Sequence, residues 1–535
     1  MHLMLHTHML TNIVSFNSFQ ASNMAMIFDS FFKDIFVILI SLVICVYAYT
    51  KWIFQYWKRK GLPYLEGNFP VEAFINLIWN PKPFGEINKE IYNIAKAKGY
   101  KHVGLISFNT PIYMPIDPQY VKYIMSKDSD HFMDRGIYYN EKDDPLSAHL
   151  FSIEGVKWRN LRMKLTPTFT SGKMKTMFQT VFECGKQLED YMENISMKEE
   201  PVDIKNILGC FTTDVIASCA FGIECNSFKD TNSEFTKYLK KNFVLTKSQL
   251  FTVILSFTAP KFSRWLGIII TPKDVSNFFR RIIAETVEYR EKYNFVRKDF
   301  LQLLIDLKNN LPDNSSEYQH DGKSLTMDEL SAQAFLFLGA GYETSSTTMT
   351  FCLYELAINQ DIQETVREEI NAVLERHDGK LTYECMMEMK YMGQVVEETL
   401  RKYPPLPILN RICLADYKIP DTNIIIEKGT AVAIPVLGLQ SDGDYFPDPE
   451  RFDPDRFSEE NKRNIPQFSY LPFGEGPRVC IGLRFGMMQV KVGLTVLLKN
   501  YVFALNYKTR TPLKMNPASF MLTALGDIWL DVKID

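Results

Sequence analysis

The sequence predicts a mainly α-helical protein with small β-sheets, preceded by a single N-terminal transmembrane helix. Most long segments place apolar residues at helical spacing, strand-like stretches are short, and residues 35–50 carry no charge. The composition, with 46% hydrophobic and 23% charged residues, is ordinary for a folded globular chain and argues against wholesale disorder. The net charge of −3 provides no general basic field, so we expect no nucleic-acid partner.

Residues 35–57 are expected to form an uncleaved signal anchor. As a helix, the uncharged run 35–50 would reach about 24 Å, and aromatic residues on both sides extend it toward the ~30 Å of a hydrocarbon core. A cleaved secretory signal is one alternative, but it needs small residues at its cleavage site, whereas this run leads into Y-A-Y-T-K-W-I-F. A buried core helix is the other alternative, although it would be an unusual start to a soluble fold.

The basic residues around the anchor predict its orientation. Lys51 and residues 58–60 follow the uncharged run 35–50, and only Lys33 precedes it. The positive-inside rule therefore places the rest of the chain in the cytosol. Residues 1–34 would be lumenal, or partly untranslated if Met24 or Met26 is the true start.

The remainder of the chain is expected to form a hinge and one large catalytic domain. Residues 58–83 contain Gly61 and several prolines, which predicts a stiff proline-containing hinge. Length alone would allow about three or four domains, but the motifs described below serve one site. We therefore expect a single domain over 84–535.

Helices dominate the predicted domain, and the strands are short. Apolar residues recur at helical spacing in six segments: 174–195, 203–221, 275–293, 298–309, 327–358 and 361–376. Strand-like patterns occur in five segments: 102–107, 111–116, 424–426, 431–436 and 519–533.

The cysteines and histidines exclude two common classes of site. The nine cysteines are odd in number and contain no C-x-x-C pair, so neither a disulfide framework nor a zinc ribbon is indicated. No H-E-x-x-H pair occurs, which argues against a zinc hydrolase.

The strongest motif is the ten-residue segment from Phe473 to Gly482, F-G-E-G-P-R-V-C-I-G. Glycines and a proline before Cys480 predict a rigid loop, and Gly482 opens an apolar helix over 483–498. Backbone N–H groups at a helix N-terminus and the nearby Arg478 favour a thiolate. A thiolate held in this way suits an iron ligand better than a disulfide.

This segment resembles the haem-binding loop of the cytochromes P-450, F-x-x-G-x-R-x-C-x-G, at every fixed position. The resemblance extends over roughly 60–535 and implies the cytochrome P-450 fold, with 84–535 as a haem-thiolate catalytic domain. It also implies haem b as cofactor, with Cys480 as the axial thiolate, Phe473 in the haem-binding loop and Arg478 paired with a propionate.

A second motif, Ala340 to Ser345 (A-G-Y-E-T-S), lies in a long predicted helix that begins with the capping box T-M-D-E at Thr326. An acid and an alcohol beside a helical glycine can position water and relay protons. The motif resembles the oxygen-activation motif of the family, which implies catalytic roles for Glu343 and Thr344. Tyr342 occupies a position that is often Phe, and its hydroxyl is a candidate contact for substrate or relay water.

Three further patterns agree with the resemblance. Glu398 and Arg401 share a helical face, and with Arg456 they correspond to the family's structural Glu-Arg-Arg cluster. Trp158 and Arg162 resemble the family's W-x-x-x-R helix, whose arginine meets a haem propionate. Arg411 lies where related proteins place another propionate arginine.

The implied activity is monooxygenation, in which O2 and two electrons from NADPH insert one oxygen atom into a small apolar substrate. The chain has no flavin or nicotinamide fingerprint, so the resemblance implies NADPH–cytochrome P-450 reductase as the partner, with cytochrome b5 as a further candidate. Basic residues beside the haem motifs are a candidate docking face: Lys157, Arg159, Lys164, Arg484 and Lys491. They are equally well read as ordinary solvated charges.

The motif variants look most like insect family-6 microsomal members, which implies detoxification of insecticides and plant allelochemicals or turnover of endogenous lipids and hormones. By resemblance, the substrate contacts come from four segments: 134–155, 335–344, 405–410 and 518–524. Two rival functions stay open. One is a thiolate-haem isomerase or dehydratase that needs no reductase, and the other is a catalytically silent haem- or steroid-binding membrane protein.

Overall fold

The computed structural model describes residues 33–65, 82–107, 110–230, 233–243, 246, 249, 252–253, 255–256, 260–309 and 324–534. The expectations for residues 1–32 and for most of the proline hinge lie outside these ranges. The statements below concern the described residues.

The predicted anchor is a helix, α1, over Lys33–Phe54, and its apolar side chains are exposed along most of its length. It is long and apolar enough to cross a membrane. Its end differs from the prediction of a span over 35–57, because Trp57 is buried in the body of the protein. The Trp57 ring occupies the space beside Gly104, where any side chain would overlap it, and Nε1 donates to the Leu105 carbonyl at 2.8 Å.

The chain just after α1 is fixed to the body rather than free. A short helix, α2, spans Tyr56–Lys60 and ends at Gly61 in the left-handed region. The Tyr56 hydroxyl donates to Glu427 at 2.9 Å, and Lys60 forms an ion pair with the same carboxylate. The first residues of the segment predicted to be a hinge therefore form part of a defined joint.

Helices make up most of the domain. After α1 and α2, the α-helices follow in chain order: α3 (Phe84–Ala97), α4 (Pro118–Lys122), α5 (Gly155–Leu165), α6 (Ser171–Ser196), α7 (Ile204–Ile216), α8 (Glu234–Lys241), α9 (Pro260–Trp265), α10 (Lys273–Lys292), α11 (Phe300–Lys308), α12 (Met327–Ile358), α13 (Gln360–Arg376), α14 (Tyr383–Glu388), α15 (Lys390–Lys402), α16 (Val436–Gln440) and α17 (Leu483–Leu498). The six helices predicted from periodicity are confirmed, with ends that differ by about three residues at most, except that 203–221 is α7 followed by a π-helical turn over Ala217–Phe221.

The strands form three small sheets. They are β1 (His102–Ser107), β2 (Thr110–Pro115), β3 (Val202–Asp203), β4 (Leu409–Ile412), β5 (Tyr417–Lys418), β6 (Ile425–Ile426), β7 (Ala431–Ile434), β8 (Tyr501–Leu505) and β9 (Trp529–Ile534). The sheet orders are β1-β2-β7-β4, β3-β9-β8 and β5-β6. The strand predicted over 519–533 is wrong in its first half, because a turn with Gly526 at φ 93° interrupts the extended chain before β9.

Helix α12 is the centre of the main core. The predicted capping box is present, since Thr326 and Glu329 bond reciprocally at its start. Most of its side chains are buried, as expected for a helix that crosses the middle of a domain. Gly341 allows α7 to approach closely, because a β-carbon there would lie 2.7 Å from Ile216.

The predicted Glu-Arg-Arg cluster joins α15 to the segment that leads to the motif 473–482, called the cysteine loop below. Arg401 donates to the Glu398 carboxylate at 2.6 and 2.8 Å, and Arg456 Nε lies 3.5 Å from the same carboxylate. Glu398 and Arg401 are fully buried. Removing one member would leave an uncompensated buried charge, which typically costs about 3–5 kcal/mol.

Candidate functional site

The predicted site residues meet at one cavity of about 400 Å³ between α12, the cysteine loop and the segment around Arg135–Phe151. Apolar side chains form most of its wall. Cavities of a few hundred cubic ångströms with a few polar groups are typical of small-molecule sites. Seven of the eight predicted site residues line this cavity: Trp158, Arg162, Thr344, Arg411, Phe473, Arg478 and Cys480.

The cysteine loop has a backbone that depends on its glycines. Gly474 and Gly476 have φ values of 70° and 71°, in the region that favours glycine. Any β-carbon at Gly476 would also overlap the Met125 carbonyl oxygen. The Cys480 N–H donates to the Phe473 carbonyl at 2.9 Å, which closes the loop on itself. Both ends of the predicted motif are therefore held in one turn.

The Cys480 thiol faces the cavity. It is enclosed by protein yet keeps accessible surface, so that surface belongs to the cavity. Burial raises the pKa of the thiol above its ordinary value, while the Gly482 N–H and the charges of Arg162 and Arg135 oppose this shift. The predicted N–H group at the helix N-terminus is present, but the opposing positive charges belong to Arg162 and Arg135 rather than to the predicted Arg478. Together these groups do not outweigh the cost of burying the thiolate charge.

Four arginines surround the same end of the cavity: Arg135, Arg162, Arg411 and Arg478. Arg162 donates to the Val479 carbonyl at 2.9 Å, and Arg135 donates to the Arg478 carbonyl at 3.1 Å. The Arg478 guanidinium lies over the Trp158 ring, 3.8 Å from its centroid. These side chains hold the cysteine loop and direct positive charge into the cavity.

The arginine cluster carries more charge than the described protein neutralises. Among the described residues, only Asp134 forms an ion pair with any of the four, and it does so with Arg478 at 3.2 Å. Burial lowers the pKa of Arg411 to about 10, and burial likewise lowers the pKa of Arg478 to about 10 despite Asp134. Buried charges need partners, so the cluster favours a ligand that carries negative charge.

Sequence reasoning missed Arg135 as a member of this cluster. It had been placed only within the substrate-contacting segment 134–155, since no spacing pattern marks it. Its pKa is lowered first by burial and then by the charges of Arg411, Arg478 and Arg162. The only signal in the sequence is the D-R-G step at 134–136, where Gly136 has φ 67° and lies against Ile412.

Glu343 and Thr344 face in different directions. Thr344 lines the cavity, and its hydroxyl donates to the Ala340 carbonyl at 2.5 Å. Glu343 is not among the cavity-lining residues; it is buried against α7, where Lys205 Nζ lies 2.8 Å from its carboxylate. Lys205 also donates to Thr347 at 2.6 Å, and the Thr347 hydroxyl donates to Glu343 at 3.2 Å. Adjacent helical residues diverge by about 100°, so the motif alone could not place both on one face.

The expectation that Tyr342 touches substrate is wrong for this structure. Its ring is buried against α7 at Gly209 and lies 5.8 Å from the Phe243 ring, outside the cavity wall. Burial raises the pKa of the phenol well above 10. Tyr342 therefore belongs to the contact between α7 and α12.

A cysteine thiol in the wall of a largely apolar cavity, with four arginines at the same end and a mainly helical fold around it, is the arrangement typical of haem-thiolate proteins. The chain belongs to the cytochrome P450 family, whose family model matches residues 65–530. Members of this family are monooxygenases that bind haem through a cysteine thiolate, and the same holds for this enzyme.

Several insect proteins are similar to this chain. It is 42% identical to Cytochrome P450 6j1 of Blattella germanica over 94% of this chain and 98% of that protein. It is 42% identical to Probable cytochrome P450 6a14 of Drosophila melanogaster over 90% and 96% of the two chains. It is also 42% identical to Cytochrome P450 6A1 of Musca domestica over 91% and 95%. The predicted likeness to insect family-6 members is confirmed.

Proposed function

We propose that Cys480 is the axial ligand of haem b in a monooxygenase that acts on small apolar molecules. The observation that carries the assignment is the Cys480 thiol, which opens into the cavity at the end where four arginines lie and where only Arg478 is paired with a carboxylate among the described residues. A flat dianionic cofactor with a metal that binds sulfur fits this donor set. The two propionates of haem would supply the negative charge needed to neutralise the arginines.

The residues that would bind haem have distinct roles in this proposal. Arg135, Arg162, Arg411 and Arg478 would hold the propionates, because the planar fork of a guanidinium group suits a carboxylate. Trp158 supports Arg478 by stacking, and Phe473, whose carbonyl closes the cysteine loop, would help to hold the cofactor. Haem bound there would supply the chemistry of O2 activation, since a thiolate ligand pushes electron density toward the iron.

Proton supply is assigned to Thr344 and Glu343. Thr344 lines the cavity, where its hydroxyl oxygen would accept a hydrogen bond from a water, while Glu343 is paired with Lys205 against α7. The Lys205 side chain is partly exposed at 30%, so this group of residues reaches from α12 toward solvent. Protons would therefore pass through Glu343 before they reach Thr344. This transfer would need either a rearrangement of Glu343 or a bridging water.

The substrate is expected to be apolar. From the predicted segments 405–410 and 518–524, Leu406, Leu409, Phe520 and Met521 line the cavity. Ile408, in the first of these segments, does not line it and is buried in a smaller core beside the four-stranded sheet. We propose xenobiotics, including insecticides and plant allelochemicals, or endogenous lipids and hormones as the substrate class.

The cosubstrates are O2 and electrons from NADPH, delivered by NADPH–cytochrome P-450 reductase, with cytochrome b5 as a further donor. The candidate docking face is smaller than the sequence suggested. Lys491 is largely enclosed and donates to the Met389 carbonyl at 2.9 Å. Lys157 is already paired with Glu141 and Glu329. Arg484, beside the cysteine loop, is the strongest remaining candidate.

The rival functions predict different behaviour in the same assay. An isomerase or dehydratase would turn over its peroxide substrate without reductase, and a silent binding protein would not consume NADPH. The presence of Thr344 in the cavity wall favours the monooxygenase. Purified protein with reductase, NADPH and candidate substrates separates the three by NADPH consumption and product.

The test of the haem assignment is Cys480→Ser. Oxygen donates less charge to iron than sulfur does, so the variant should lose the red-shifted Soret band of the reduced carbonyl complex. Cys413→Ser is the matched control, because Cys413 is buried away from the cavity, and it should keep the normal band. An unaltered thiolate spectrum in Cys480→Ser would show that another residue binds the iron.

We also propose that α1 anchors the protein in the endoplasmic reticulum membrane, with the catalytic domain in the cytosol. The apolar exposed surface of α1 and the basic residues after it support this orientation. Protease added to intact microsomes should digest the catalytic domain. Protection of the domain until detergent is added would reverse the topology.

A further inference from the structure

We propose that His149 determines substrate specificity: its Nε2 accepts a hydrogen bond from a hydroxyl or N–H group of the substrate. The inference rests on the proposed function, because it assigns a recognition role inside the same cavity.

The position of His149 is fixed by its neighbours. It lies in the loop before α5 and lines the cavity. The next residue, Leu150, is buried and its N–H donates at 2.8 Å to Gln333 of α12. The loop is therefore tied to the long helix at the point where the imidazole meets the cavity.

Ser152 determines which nitrogen of the imidazole carries the proton. The Ser152 hydroxyl has a single proton and two backbone acceptors for it, the Ser147 carbonyl and, at 3.1 Å, the carbonyl of His149 itself. The Ser152 oxygen also accepts from the His149 backbone N–H at 3.2 Å and lies 3.2 Å from Nδ1. Because the hydroxyl proton is already used, Nδ1 must be the donor in that last contact. Nε2 is then unprotonated and is an acceptor.

Nε2 is available to a ligand. Within the described residues, no group is hydrogen-bonded to it, and it is not among the buried atoms that lack a partner. It therefore keeps accessible surface, and because the ring is enclosed by protein, that surface faces the cavity. Burial, with a contribution from the Arg135 charge, lowers the pKa of His149 to about 4, so the imidazole is neutral near pH 7.

A neutral hydrogen-bond acceptor in the cavity wall favours ligands that carry a donor group. The arginines that share the cavity can only donate hydrogen bonds, so they do not reproduce the role of Nε2. An apolar ligand without a donor would displace water from Nε2 and leave it unpaired. The difference expected from one neutral hydrogen bond is about 3- to 12-fold in affinity, in favour of the ligand that carries the donor.

Matched ligand pairs test the proposal. The probes are 2-naphthol with 2-methoxynaphthalene, and 4-phenylphenol with 4-methoxybiphenyl, titrated into the purified holoenzyme by difference spectroscopy. The wild-type protein should bind the alcohol of a pair more tightly than the ether by about 3- to 12-fold. His149→Phe should bring the ratio near one, and His149→Gln, whose amide oxygen is an acceptor, should retain part of it. The control Asn242→Leu removes a different polar group of the cavity wall and should leave the ratio unchanged.

The outcomes separate this inference from the proposed function. A normal thiolate spectrum with no difference within the pairs, or an equal ratio in wild type and His149→Phe, overturns the role of His149 and leaves the haem assignment intact. Loss of haem in both His149 variants also overturns it, because the imidazole would then belong to the haem-binding residues. Absence of a thiolate spectrum in the wild-type protein would instead contradict the proposed function.

Discussion

The cysteine loop and helix α12 form facing walls of one cavity, but their chemistry is fixed in different ways. In the loop, backbone geometry and arginine hydrogen bonds set the position of Cys480. In α12 the backbone is a regular helix, and the chemistry depends on the direction in which each side chain points. The loop should therefore fail as a unit when its backbone is disturbed, whereas α12 should tolerate substitutions that change only one function.

The strongest test of this contrast is Gly476→Ala. A methyl group there would overlap the Met125 carbonyl oxygen, and the backbone has φ 71°. We expect haem content, measured by the reduced carbonyl spectrum against total protein, to fall at least about tenfold, since strain of this kind costs about 1–3 kcal/mol before the overlap is counted. Gly443→Ala, where a β-carbon meets no atom within 4 Å, should keep wild-type haem content. Normal haem content in Gly476→Ala would mean that the loop is not rigid.

A smaller and more selective effect is expected from Thr344→Ala. The variant should keep haem and substrate binding but lose proton supply in the cavity, so NADPH consumption should shift from product to hydrogen peroxide. A positioned proton donor is typically worth about 10²–10⁴-fold, and water replaces part of this, so we expect roughly tenfold less product per NADPH.

Thr350→Ala is the control for Thr344→Ala. Thr350 makes the same type of bond, to the Ser346 carbonyl at 2.6 Å, but is buried away from the cavity. NADPH, peroxide and product should be measured together, with reductase in excess. Equal coupling in the two variants would remove Thr344 from the proton path and favour the isomerase.

The smallest effect is expected from Lys205→Met. Loss of the ammonium group would free the Glu343 carboxylate from its 2.8 Å contact and from the shared contact with Thr347. We expect a change of a few-fold in coupling, with normal haem content. Lys205→Arg, which keeps the charge, should restore much of the wild-type coupling. Loss of haem or of the folded protein in Lys205→Met would show a structural role instead.

The two walls also differ in how far the sequence could predict them. The loop motif predicted Cys480, Arg478 and Phe473 together, because the turn that joins Cys480 to Phe473 is local in the chain. It could not predict the side-chain partners of Arg478, since Asp134 and Trp158 are far away in sequence. Helix α12 was predicted with its ends, but not the orientation of Tyr342 and Glu343, since that depends on where α7 packs. Arg135 was missed for a similar reason: its partners lie in the cysteine loop and β4, far away in sequence.

The contact between Trp57 and Gly104 helps to fix the orientation of α1 relative to the catalytic domain. Arg59 donates to the Trp52 carbonyl at 2.6 Å and stacks on its ring, which ties α2 to the last turn of α1. Since Trp57 and Glu427 in turn tie α2 to the body, the joint leaves little freedom for independent rotation. A helix of this length reaches about 33 Å and responds to bilayer thickness by tilting. In the proposed anchored orientation, a change in bilayer thickness would therefore change the angle at which the catalytic domain meets the lipid surface.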